Sequence, residues 1–274
     1  TVQNGLKELY DDPRVTLMLE AEATAVDVEA GVAKGVRYKH EGEEKTATGD
    51  CVVLAANAIF NPHILLASGL DDGLVGKRLH EQGAFNADVD LDGIDNFQGS
   101  TSVTGLGYML YDGDHRREAG AALLETWNVP AFRTTPGKWR QKLQIRVIVE
   151  DLPTEANYVA LDAGDVGRPR VHFDGWTSYF SNGVKRAKEK LPEILAKALP
   201  VEAVEFTGLH PTEAHIQGTT MMGDDAAQSV VDRYGLHHHV RNLVVLGSSL
   251  FPTSSPANPT LTLSAMALLT GERL

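Results

Sequence analysis

The sequence predicts an α+β fold in two domains, one of them built on a mostly antiparallel sheet flanked by helices. Three observations lead there. The chain has 274 residues, longer than one average domain and long enough to bury about 70–75% of its unfolded surface. Residues 84–177 break into short alternating segments between turns, such as "KLQIRVIVED", "NYVALD" and "PRVHFDG", as strands of an antiparallel sheet do. Helical spacing of apolar residues recurs near the start, in the middle and at the end of the chain. The expected partition is residues 1–80 and 236–274 in one domain and 81–235 in the other.

Along the chain, "TVQNGLKELY" carries Val2, Leu6, Leu9 and Tyr10 at helical spacing, and Asp-Asp-Pro ends that short helix. Residues 14–55 alternate apolar and polar positions between Gly-containing turns, which predicts a run of strands closing in a buried strand, Cys51 to Ala55. Cys51 is alone in the chain, forms no internal disulfide, and reads as a small buried hydrophobe. In "NPHILLASGL", Pro62 suits a first helical turn and Gly69 a helix end. "DDGLVGKRLHEQGAFNADVDLDGIDN" shows no clear period and reads as a loop passing between the domains.

"SNGVKRAKEKLPEILAKAL" has apolar positions at Val184, Ala187, Leu191, Ile194, Leu195 and Leu199, an amphipathic helix with an Asn-Gly start. Pro192 predicts a kink or break inside it. Val244 to Leu246 reads as a short strand, followed by a Gly-Ser-Ser turn and a last helix from Pro259 to about Leu269. That helix is apolar on nearly every face and is expected to be buried. "LHHHV", His237 to His239, reads as a solvated turn, because consecutive side chains diverge and no Cys or His partner stands at zinc-like spacing. No metal site is expected.

A formal charge of −12 excludes a nucleic-acid partner, which needs a basic face to displace counterions. No apolar run approaches the roughly 18 residues of a membrane span, so a soluble protein is expected, cytoplasmic or periplasmic. The chain starts on Thr1, without Met and without a charged-then-apolar signal pattern, and is read as having a cut or processed start.

Two polar residues stand where elements begin. His215 opens "HIQGTTMMG" and Asn258 precedes Pro259 at the mouth of the last helix. Burying such groups without partners costs about 2 kcal/mol or more each, so a ligand or a satisfied network is required to hold them. Asn followed by Pro also suits a plain helix start.

The Gly-Ser turn and Pro-started helix, with "HIQGTTMMG" upstream, resemble the C-terminal half of the glucose-methanol-choline (GMC) flavin oxidoreductases. "VVLAANAIFNPHILLASGL" is similar to that family's second signature. "GLVGKRLHEQ" resembles its G-x-V-G-[RK]-x-L-x-[DE]-H segment, with Gln82 where His is common. "YDGDHRREAG" and "VEDLPTEANYVALD" resemble the substrate domain of the bacterial sugar and polyol dehydrogenase branch. The resemblance implies that the domain shared by residues 1–80 and 236–274 is part of a Rossmann-like FAD-binding domain.

The resemblance further implies FAD as cofactor, hydride transfer from a CH–OH carbon to flavin N5, His215 as the base and Asn258 as its partner. Asn258, Pro259 and Thr260 would face the flavin from the helix start. Gly247 and Ser248 would pass its phosphates and ribityl chain, although the family commonly has Asp there. Ala23 falls where backbone meets the adenine edge, and Ala56 lies in a small-residue turn beside the cofactor. The family's G-x-G-x-x-G turn for the FAD pyrophosphate does not occur in these residues. Either a companion chain supplies it, or the protein was cleaved or truncated, or flavin is not bound. The competing reading is a non-catalytic carbohydrate-binding or scaffold relic. A serine hydrolase is disfavoured because no G-x-S-x-G occurs.

Overall fold

A computed structural model describes residues 6–96 and 103–274. Val2, expected on the first helix, lies outside them. The expected α+β class is what the protein adopts. Its first half holds α1 (Lys7–Asp11), three antiparallel strands β1 (Ala21–Glu29), β2 (Val32–His40) and β3 (Glu43–Thr48), then β4 (Val52–Leu54) and α2 (Phe60–Ala67). Far along the chain, β12 (Leu243–Val245) returns to lie parallel to β4, with Leu243 opposite Val52 and Val245 opposite Leu54. Val52, Leu54, Leu65, Val231, Leu243, Val245 and Leu250 pack around this pair as one hydrophobic cluster.

The larger sheet has five antiparallel strands in the order β11-β5-β8-β7-β6. These are β5 (Gly83–Leu91), β6 (Val103–Leu110), β7 (Ala122–Trp127), β8 (Lys142–Val149) and β11 (Val201–His210). The hairpin β9 (Tyr158–Leu161) and β10 (Pro169–His172) precedes α3 (Ser178–Ala196). Phe85, Ala87, Val89, Leu124, Ile145 and Val147 point from one sheet face onto Phe180, Ala187, Leu191 and Leu195 of α3. Successive side chains in a strand alternate faces, so Asn86, Glu125, Trp127 and Arg146 stand on the other one.

Six expectations are corrected. The segment read as an interdomain loop contains β5, hydrogen-bonded on both sides. Its alternation of Phe85, Ala87, Val89 and Leu91 with Asn86, Asp88 and Asp90 is regular, but the Asp and Gly content disguised it. Helix α3 begins at Ser178, where the Thr177 hydroxyl accepts from the Phe180 N–H, and Asn182-Gly183 lie inside it. Gly183 is there for closeness, since a Cβ on it would stand 2.7 Å from the Gly120 carbonyl oxygen. Pro192 does not interrupt α3, because Leu191 and Leu195 on either side are locked into the core.

Cys51 is exposed rather than buried. It lies just before β4, which is covered on one face only: Val52 and Leu54 point inward while Val53 is 45% exposed. The last helix, α4 (Thr260–Gly271), buries only Thr270, leaving Leu261 83% and Leu268 72% exposed. Its inner side meets the β4–β12 cluster through Met266 and the Tyr234 carbonyl through the Thr270 hydroxyl, at 2.9 Å, while Leu261 and Leu268 stay uncovered among the described residues. In the histidine run, His237 is buried, with Nδ1 accepting from the His239 N–H at 3.1 Å.

Candidate active site

The loop carrying His215 is held from beneath by two consecutive residues. His80 and Gln217 exchange backbone hydrogen bonds of 3.0 and 2.8 Å, which sets residues 80–82 alongside 215–217. The Glu81 carboxylate then accepts from the Thr212 hydroxyl at 2.7 Å and from the backbone N–H groups of Glu213 and His215, both at 2.8 Å. Ala214 is forced to φ +59°, a left-handed conformation that a non-glycine residue adopts only when its surroundings impose it. Gln82 is fully buried. Its Oε1 lies 2.8 Å from His215 Nδ1, while its Nε2 donates to the carbonyls of Ser255 and of Ala257, the latter at 2.7 Å.

One residue therefore joins His215 to the segment that ends in Asn258. Asn258 is exposed, and its Nδ2 donates to Glu125 Oε1 at 2.9 Å. No side chain caps α4, so Asn258 does not serve as the cap that its position before Pro259 suggested. The first-turn N–H groups stay without a capping acceptor. Pro259 is buried at the helix entrance and Thr260 is exposed.

The turn after β12 is tied to the same loop. Ser248 Oγ donates to the Ile216 carbonyl at 2.7 Å, and the Ser248 and Ser249 carbonyls accept from Gly218 and Thr220 N–H at 3.2 and 3.0 Å. Asn61, fully buried, donates from Nδ2 to the Leu246 carbonyl and to Ser249 Oγ, both at 2.9 Å. Its Oδ1 accepts from Ala56 N–H at 2.8 Å. Thr219 Oγ1 donates to the Ala58 carbonyl at 2.7 Å. Ala56, Gly247, Ser248 and His215 thus belong to one hydrogen-bonded unit. The Ser248 hydroxyl is already used within it, which leaves backbone and not side chain for a ligand. Ala23 stands apart, exposed on β1 beside a strand irregularity between Ala23 and Ala25. It lines a cleft of about 360 Å³ with Arg37, Lys39 and His63.

Above the loop, the polar face of the sheet presents a row set by register: Glu125 opposite Arg146, and Arg146 opposite Asn86. Arg146 Nε donates to both Glu213 carboxylate oxygens at 2.9 and 3.0 Å and lies 5.9 Å from the Trp127 ring centroid. Asn86 Nδ2 meets His210 Nε2 at 3.1 Å. Trp127 Nε1 and Asn128 Oδ1 are buried without partners. Glu125 and the bridging role of Gln82 were missed in the sequence. The signal for Glu125 was the alternation of "ALLETW", which puts Glu125 and Trp127 on the face opposite Leu124.

The residues present suit the flavin implied by the resemblance. A Cβ at Gly247, whose φ is +104°, would meet no atom within 4 Å, so the backbone there is open to a ligand. The uncapped start of α4 offers N–H groups and a positive dipole end to an anionic edge. A cleft of about 250 Å³ lies at the α4 start, lined by Gln217, Phe251, Ser255, Asn258 and Thr262. Among the described residues, no group of three or more His, Cys, Asp or Glu is placed to hold a metal ion.

The five-stranded antiparallel sheet backed by α3, the parallel β4–β12 pair and the open turn that follows it define the class of α+β fold to which the chain belongs. Two family models described as GMC oxidoreductase match the chain, one at residues 1–84 and one at 153–267. The C-glycoside 3-oxidase of Arthrobacter globiformis is 28% identical over 94% of this chain and 53% of its own length. The fructose dehydrogenase large subunit of Gluconobacter japonicus is 24% identical over 84% and 48%. An FAD-dependent oxidoreductase from Chaetomium thermophilum shares the fold with a TM-score of 0.72 at 14% identity, covering 99% of this chain and 63% of that one. The chain belongs to the GMC oxidoreductase family. It spans about half the length of the curated relatives it matches.

Proposed function

We propose that this chain forms part of an FAD-dependent oxidoreductase that oxidises a CH–OH group of a sugar, glycoside or polyol. In this reading residues 1–80 and 236–274 belong to the FAD-binding domain and 81–235 to the substrate domain. A companion chain, or further chain of the same protein, contributes the G-x-G-x-x-G half. When bound, FAD supplies the hydride acceptor at N5. The substrate hydroxyl gives its proton to the His215 imidazole as the carbon gives up its hydride, and the C–O bond becomes a carbonyl. A neutral imidazole with a free ring nitrogen is able to take that proton.

Asn258 does not titrate, so its role is to orient the hydroxyl. Its Nδ2 is committed to Glu125, which fixes the amide plane and leaves Oδ1 to accept from substrate. Pro259 and Thr260 place the helix start where its dipole stabilises negative charge. The polar row of Asn86, Arg146 and Trp127 offers donors and a ring face to a polyhydroxyl compound. Gly247, Ser248 and Ala56 would hold the cofactor with backbone groups, and Ala23 would meet its adenine end.

The observation that carries this proposal is the bridge through Gln82, which holds His215 and the Asn258 segment in one unit. The test is an absorption spectrum of the native assembly containing this chain, followed by anaerobic addition of sugars, glycosides and polyols. A flavin band that bleaches with one of them supports the proposal. Absence of flavin from every assembly containing the chain defeats it and leaves a binding or scaffold role.

A further inference from the structure

We infer that Gln82 is the positioning residue that fixes the tautomer of His215, holding the proton on Nδ1 and leaving the Nε2 lone pair free. This deepens the proposal that His215 is the base, and it rests on the loop geometry alone. The Gln82 amide has one end near two backbone carbonyls, Ser255 O and Ala257 O. Carbonyl oxygens only accept, so that end must be the NH2 group, and both its hydrogens are used there. The end facing His215 Nδ1 at 2.8 Å is therefore the amide oxygen, which also only accepts. A hydrogen bond at that distance requires Nδ1 to donate.

In a neutral imidazole one nitrogen donates and the other accepts, so Nε2 carries the lone pair. The opposite arrangement would set the Gln82 oxygen against two carbonyl oxygens and its NH2 against an Nδ1 lone pair, exchanging two satisfied hydrogen bonds for one. Gln82 is fully buried, and water does not relieve that mismatch. Glu81 adds the second constraint by gripping the His215 N–H at 2.8 Å, so backbone and ring are set by neighbouring residues of one strand entrance. A base needs its free lone pair aimed at the substrate, and this dipeptide decides which nitrogen has it.

The test is nitrogen NMR of protein labelled at histidine, with His215 assigned by comparison with His215→Asn, at a pH where the ring is neutral. The wild-type protein is expected to show a protonated Nδ1 and an unprotonated Nε2. In Gln82→Met, which keeps the length of the side chain and removes its acceptor, the single-tautomer signature should be lost to an averaged pair of signals. Gln82→Glu, whose carboxyl is kept protonated by burial against the Ser255 and Ala257 carbonyls, presents its other oxygen to Nδ1 and should restore it. A wild-type ring protonated on Nε2, or an unchanged ring in Gln82→Met, overturns the inference. Neither result depends on flavin or turnover. Failure of the oxidoreductase proposal, read from the absorption spectrum, is thus distinguishable from failure of this one.

Discussion

Asn258 and Glu125 depend on each other. Glu125 is 3% exposed and receives the Asn258 amide at 2.9 Å, so Asn258→Ala leaves a buried carboxyl group short of its donor. The expected cost is about 1–3 kcal/mol in unfolding free energy, together with a fall in turnover, both measurable on the purified variant. Denaturant melts that match wild type would show that water replaces the amide. His215 and Asn258 were legible in the sequence because the family motif marks them. Glu125, Gln82 and Glu81 were not, because a buried polar group acquires its meaning only from the partner that folding brings to it.

Histidine burial also sets an acid limit. His237 is pushed down to about 4 by burial, and burial lowers His63 and His80 as well. The unfolded chain takes up these protons from about pH 6.5 downward, whereas folded His237 resists until about 4. Stability is therefore fully present above pH 6.5 and is lost as pH falls from there toward 4. Thermal melts across that range should show the decline, and His237→Leu should make it shallower. An unchanged slope would assign the acid sensitivity elsewhere.

At the scale of elements, α3 shows how packing overrules local punctuation. An Asn-Gly pair and a proline suggested a start and a break, yet the helix runs from Ser178 to Ala196. The reason lies across the interface, where a Cβ on Gly183 would stand 2.7 Å from both the Gly120 carbonyl oxygen and Val149 Cγ1, so only glycine lets α3 pack this closely. Gly183→Ala favours the isolated helix but overpacks this contact, and should lower stability by about 1–3 kcal/mol. A stabilised variant in urea melts would show that the contact yields easily. An antiparallel sheet was legible from its alternation, as in β8, but β6, β7 and β11 were not read individually, and β5 escaped because Asn and Asp at its outward positions imitate a loop. The burial of α4 was misjudged for a different reason: hydropathy states what a helix needs, not whether the partner is in the same stretch of chain.

Across the whole molecule, the sheet with α3 forms a closed core, while β4 and α4 expose Val53, Leu261 and Leu268. Helices that are apolar all round are normally covered, and exposed apolar surface of this kind marks an interaction face. Leu261→Glu with Leu268→Glu should weaken association with the proposed companion half in light-scattering measurements while leaving the melting of the isolated chain nearly unchanged. A drop in its melting temperature would mean instead that Leu261 and Leu268 pack on their own chain. The fold class came from the sequence, as did the proposal of His215 and Asn258, whereas the bridging network and the bare faces needed coordinates.

The most direct test of the central claim is the rate of anaerobic flavin reduction in the assembled protein, wild type against His215→Ala, with a substrate that bleaches the wild type. The variant is expected to retain its flavin and to be reduced about 10²–10⁴ times more slowly, the usual worth of a positioned general base. Reduction at the wild-type rate would remove His215 from the chemistry and contradict the account.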